Sequence, residues 1–181
     1  MKPVGKDIDE LCYPFIYEES HRCDYEIITD ELCSRIGLVL SKDQIPELVK
    51  DVLSRLQPNT YHLNGSVRGK LAITEDELIE LKADYERIKK ILNGGKKGFV
   101  LPGGHPVASE LHLCRSLGKK TVRALVAVHQ EGRRVPPDDI LFRYANLITN
   151  VFYALASYTN MVHGVEETPF ISKSYPMPEK K

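Results

Sequence analysis

The residues of this chain best suited to chemistry lie between Phe99 and Arg123. Phe99-Val-Leu-Pro-Gly-Gly104 runs straight into a segment carrying His112, Arg115, Lys119 and Arg123. Paired glycines at a loop-to-helix junction let backbone N–H groups approach a ligand closely. The helix start adds unpaired donors and the positive end of a dipole. At about 100° per residue the four basic side chains fall within roughly an 80° sector. Val107, Leu111, Cys114, Gly118, Val122 and Leu125 occupy the neighbouring sector. A basic ridge beside a core-facing stripe suits a polyanion such as a triphosphate. By themselves the same residues describe a solvated basic face after an ordinary turn at least as well.

The elements that must carry these residues all read as helices. Asp24 caps a predicted helix from about Tyr25 to Leu40, with Ile28, Leu32, Ile36 and Val39 on one face. A second starts near Ser41 and is ended or kinked by Pro58. Thr74-Glu-Asp-Glu77 forms a capping-box pattern opening a third, which runs to about Leu92 and stops at Asn93-Gly-Gly95. The fourth begins with Pro106 in its first turn and ends before Gly132; the fifth spans about Pro137 to His163, closed by Gly164. From Tyr144 to Val162 the fifth helix has no charged residue, so it must be enclosed on most sides. Its polar positions Asn146, Asn150, Tyr153 and Ser157 then need partners from neighbouring helices, a subunit interface or a ligand. The expectation is an all-α five-helix bundle, with the fourth and fifth helices longest and the fifth central. Residues 1–164 form one domain and 165–181, with three prolines, a loose tail.

Composition excludes several functions. The 181 residues contain 25 Lys plus Arg and 25 Asp plus Glu, so no net field draws the chain to nucleic acid. The fifth helix is too polar for hydrocarbon, and no membrane partner is expected. Met-Lys-Pro-Val-Gly-Lys-Asp lacks the apolar segment of a signal peptide, and the four cysteines show no paired spacing. Reduced thiols in the cytoplasm are the expectation. His21 and Cys23 have no matching second pair, so no protein-bound metal is expected.

Three ordered blocks carry a resemblance. Phe99-Val-Leu-Pro-Gly-Gly-His-Pro-Val-Ala-Ser-Glu-Leu-His-Leu-Cys-Arg115 resembles the signature of the PduO-type ATP:cob(I)alamin adenosyltransferases. Asp30-Glu-Leu-Cys-Ser-Arg-Ile-Gly37 is similar to the family's D-E-L-N-S-x-I-G, and the run from Asn146 to Asn160 is similar to its last-helix motif. The resemblance covers about residues 24–163. It implies the family's helical bundle, a homotrimer with sites between subunits, and transfer of the 5′-deoxyadenosyl group of ATP to Co(I) of reduced cobalamin. ATP would come with a divalent cation, magnesium in the family.

The resemblance also implies roles. Asp30 and Arg115 match the family's ion pair across the site. Phe99 matches an aromatic that packs below the corrin; as a residue by itself it is equally a core anchor. Gly103, Gly104, His105, His112, Lys119, Arg123 and Asn146 fall at ligand-binding positions. Lys119 stands where the family has arginine, keeping the charge but losing two-pronged phosphate geometry. His112 is given no acid–base role, because the displacement needs none. The family's N-terminal T-G-D-x-G-x-T loop has no counterpart in residues 1–21, and Leu147, Asn150 and Ser157 replace charged positions. These departures leave a second reading, a catalytically inactive corrinoid- or nucleotide-binding homologue.

Overall fold

A computed structural model describes residues 7–92, 99–132 and 138–174. Its five helices are α1 (His21–Leu40), α2 (Glu47–Gly65), α3 (Glu75–Ile91), α4 (Pro106–Gln130) and α5 (Asp139–Val162). Two short strands, β1 (Phe99–Val100) and β2 (Pro169–Phe170), pair antiparallel with Phe99 opposite Phe170. The expected all-α bundle is therefore the observed one.

Local chemistry explains most boundaries. Thr74 and Glu77 form the complete capping box of α3: the Glu77 carboxylate accepts from Thr74 N at 2.7 Å and Thr74 Oγ1 accepts from Glu77 N. Asp138 caps α5 by accepting from Ile140 N at 3.0 Å. Gly164, at φ 64°, follows the last turn of α5. Two starts differ from expectation. Helix α1 begins at His21 because Ser20, not Asp24, is its N-cap, accepting from Arg22 N at 3.2 Å. Glu131, from the far end of α4, accepts from the Ser20 hydroxyl and from His21 N. Helix α2 begins at Glu47 rather than near Ser41. Gln44 turns the chain at φ 60°, and Pro46 takes the N-cap. Pro58 lies inside α2 and does not end it. Residues 93–98 and 133–137, which include the expected Asn93-Gly-Gly95 stop, lie outside the described residues.

Helix α5 packs on α4, on α3 and more lightly on α2, while α1 packs on α4 and α2. This makes α5 central, and α4 and α5 are the longest helices at 25 and 24 residues. Leu141, Tyr144, Ile148, Val151, Phe152 and Leu155 place the uncharged run of α5 in the core. Its enclosure is incomplete: Asn146 and Asn150 are exposed.

Two features were not legible beforehand. Arg68 clamps the residues before α1, bonding Glu18 at 2.7 Å and buried Glu26 at 2.7 Å while lying 4.0 Å over the Phe15 ring. The segment after α5 also departs from the expected loose tail. Val165 N donates to Asn160 O at 2.8 Å, Leu101 N donates to Thr168 O at 2.9 Å, and Glu167 is only 6% exposed. Residues 175–181 lie outside the described residues.

Candidate functional site

The Pro-Gly-Gly turn is held by one side chain at the end of α5. Asn160, 1% exposed, accepts from His105 N at 2.9 Å through Oδ1 and donates from Nδ2 to Gly103 O at 3.1 Å. Its Nδ2 also reaches Glu167 Oε1 at 3.4 Å, and the Ser157 hydroxyl donates to the same carboxylate oxygen at 2.8 Å. Gly104 explains why the second glycine is needed. Its φ is 107°, and a Cβ there would lie 2.3 Å from Asn160 Oδ1. The turn therefore depends on a missing side chain and a buried amide.

His105 ends this turn and starts α4. Its Nδ1 accepts from Val107 N at 3.3 Å, which makes it the N-cap, and its ring stacks on His163 at 3.8 Å between centroids, 3° from parallel. Burial, then the neighbouring His163, pulls its pKa below the ordinary imidazole value. A capping Nδ1 must be unprotonated, so the geometry and the shift agree.

The expected basic ridge on α4 divides. His112 is not on a solvent-facing ridge: it is 4% exposed, 6.1 Å from the Tyr153 ring, and both ring nitrogens are buried without hydrogen-bond partners. The cause is that α4 packs on both α1 and α5, which widens its buried sector to include position 112. Burial and then Arg115 pull the His112 pKa down, so it stands as a neutral imidazole. Arg115 is half-buried over the Tyr153 ring at 5.8 Å, with Nε lacking a partner. Lys119 and Arg123 are exposed and, with Lys120, His21, Asp24, Ile28 and Ala124, line a groove of about 450 Å³ between α1 and α4.

Phe99 is 73% exposed, which overturns the core-anchor reading. Directly opposite it, Phe170 is 47% exposed, so the two rings project from one face of the β1–β2 pair. Leu101, two residues on from Phe99, is exposed as well. Phe170 was missed because it lies in the segment read as a loose tail. Asn146 is exposed on α5 and donates to Phe142 O of its own helix at 2.8 Å. It is not brought to the Gly-Gly turn.

Asp30 is exposed on α1 and makes no ion pair with Arg115 inside the protomer. Its Oδ1 instead accepts from the Tyr61 hydroxyl of α2 at 2.5 Å. Arg35, one turn and a half further along α1, pairs with Glu110 of α4 at 3.4 Å. Among the described residues no three His, Cys, Asp or Glu side chains converge to hold a metal, and no helix is long and apolar enough to cross a membrane.

Comparison with known proteins follows the same residues. The family model described as cobalamin adenosyltransferase matches residues 18–159. A cobalamin adenosyltransferase of Cupriavidus metallidurans is 29% identical over 144 residues, covering 75% of this chain and 72% of the relative. A corrinoid adenosyltransferase of Bacillus subtilis is 26% identical over 150 residues, covering 78% and 75%. Among solved structures, a variant PduO-type ATP:corrinoid adenosyltransferase from Lactobacillus reuteri, complexed with cobalamin and ATP, superposes with a TM-score of 0.74. It is 20% identical over 86% of this chain and 88% of that one. A second variant of that enzyme, complexed with ATP, gives a TM-score of 0.75 at 21% identity, covering 84% and 89%.

Proposed function

The chain belongs to the cobalamin adenosyltransferase family, and on that premise we propose that it is an ATP:corrinoid adenosyltransferase acting on reduced cobalamin. The reaction breaks the C5′–O bond of ATP and forms a Co–C bond. The electron pair comes from Co(I), and triphosphate leaves. No protein nucleophile or base is required, so the chain's work is positioning and charge neutralisation.

The observation that carries this reading is the order of surfaces along one helix. At the start of α4, the turn locked by Asn160 sets out the exposed Phe99–Phe170 pair. Farther along, Lys119 and Arg123 stand exposed, and no ion pair within the described residues engages them. An apolar platform suits a corrin face, and free cations one and two turns beyond Arg115 suit a departing triphosphate. With the His105 N–H held by Asn160, the turn would offer a ligand the Gly103 and Gly104 N–H groups at the helix start, beside the His105 ring. Asn146 would serve from the exposed face of α5. Magnesium would arrive on the phosphates of ATP.

The half-buried Arg115 and exposed Asp30 support a site shared between copies, in a homotrimer, with the ion pair formed across the boundary. Reduced thiols are consistent with a cytoplasmic protein; the described Cys12, Cys23, Cys33 and Cys114 are free. The test is to mix the protein with ATP and chemically reduced cobalamin and follow absorption. Appearance of the alkylcobalt spectrum supports the transferase. Binding of both ligands with no spectral change favours the inactive homologue instead.

A further inference from the structure

Asp30 has a partner in its own protomer that the family signature does not supply. On α1 the positions one turn away are Glu26, Ile27, Cys33 and Ser34, so its helix offers it no cation. Across the α1–α2 groove, the Tyr61 hydroxyl donates to Asp30 Oδ1 at 2.5 Å. Tyr61 is 52% exposed, and a surface tyrosine normally satisfies its hydroxyl with water. The hydrogen bond to Asp30, then burial, pushes the Tyr61 pKa up to about 12, so it stays a donor at any working pH. One carboxylate oxygen is thereby occupied and Oδ2 remains for a second donor.

The surrounding surface matches that arrangement. Ile27 and Leu38 are exposed on the outer face of α1, with Ser34 between them; the three fall within roughly a 40° sector. Ile27 and Leu38 leave apolar surface beside a carboxylate that has no cation of its own, which a second copy of this chain would cover. The geometry points to Tyr61 as a positioning residue for Asp30. Its hydrogen bond fixes the carboxylate so that Oδ2 meets the Arg115 guanidinium of a second copy of this chain. This rests on the reading of Asp30 and Arg115 as partners at a shared site. Pre-setting the carboxylate removes side-chain freedom that would otherwise be lost when the site forms.

The test uses the full chain and Tyr61→Phe, which keeps the ring and deletes only the donor. With ATP and reduced cobalamin, kcat should fall about fivefold, equivalent to roughly 1 kcal/mol. The KM for ATP should be unchanged, and the thermal midpoint should fall by no more than the loss of one exposed hydrogen bond produces. Cobalamin affinity measured by equilibrium dialysis should weaken by a similar factor. In an Asp30→Asn background, adding Tyr61→Phe should have no further effect. A merely structural tyrosine would lower the midpoint and spare kcat, overturning the proposal, as would losses that add in the double variant. Wild-type kcat in Tyr61→Phe alongside an impaired Asp30→Asn overturns the role of Tyr61 alone. A fully active Asp30→Asn overturns the reading of Asp30 on which it rests.

Discussion

An added methyl group at Gly104 meets two obstacles, a φ of 107° and the Asn160 amide within 2.3 Å. Gly104→Ala should therefore destabilise by about 2–3 kcal/mol. Gly65→Ala, where a Cβ meets nothing within 4 Å and the residue is helical, should stabilise by about 0.5 kcal/mol. Urea unfolding of both variants checks the contrast, and equal effects would sink the steric account of the turn. The histidines set a pH dependence. Burial and neighbouring groups pull both His105 and His112 below their ordinary 6.5, so between the folded and unfolded values the unfolded chain binds more protons. Stability is then fully present above about pH 6.5 and declines as the pH falls. His112→Leu removes two buried, unpartnered nitrogens and should flatten that decline, leaving the part due to His105. Unfolding midpoints measured from pH 7 to 5 decide it.

Whole elements show which signals are local and which are not. The starts and ends of α3, α4 and α5 were legible to within two residues, because a capping box, a first-turn proline and an uncharged run are chain-local facts. The start of α1 was not: Ser20 becomes the cap with the help of Glu131, which is 111 residues away. The pairing of β1 with β2 was equally hidden, since the second strand is two residues long and the connection spans the whole of α4 and α5. The same division holds for the site. Phe99, Arg115, Lys119 and Arg123 are visible as residue types at a spacing. Tyr61, Phe170 and Glu167 become site neighbours only through packing. Two element-scale predictions follow from the helices themselves. Pro58 is exposed inside α2, where it removes one backbone donor, so Pro58→Ala should raise stability by about 1–3 kcal/mol in thermal unfolding. Arg68→Ala leaves Glu26 buried without its cation and should cost about 3 kcal/mol. Its signature should be local as well, with residues 7–20 becoming sensitive to protease before the bundle is.

At the scale of the molecule, the described residues leave several surfaces open within one protomer, among them the α1 face around Asp30, the aromatic pair on the β1–β2 ladder, and the exposed asparagines of α5. A single copy places Asp30 and Arg115 without contact, although each carries the charge the other needs. Assembly resolves this if Arg115 of one copy reaches Asp30 of the next, so the particle in solution should have three times the 20.5 kDa chain mass. Breaking that pair from one side leaves a desolvated carboxylate, a cost of roughly 3–5 kcal/mol for a buried pair against at most about 1 for an exposed one. Arg115→Ala should therefore shift the trimer toward smaller species in sedimentation equilibrium and weaken cobalamin binding together. Adding Asp30→Asn removes the stranded charge, so assembly should recover in part while binding does not. Lys119→Ala offers the contrast, because its exposed ammonium lines the groove between α1 and α4: nucleotide affinity should drop with assembly intact. A monomeric wild type at micromolar concentration, or an Arg115→Ala variant that assembles like wild type, would return Arg115 to the role of a helix-surface cation resting on Tyr153.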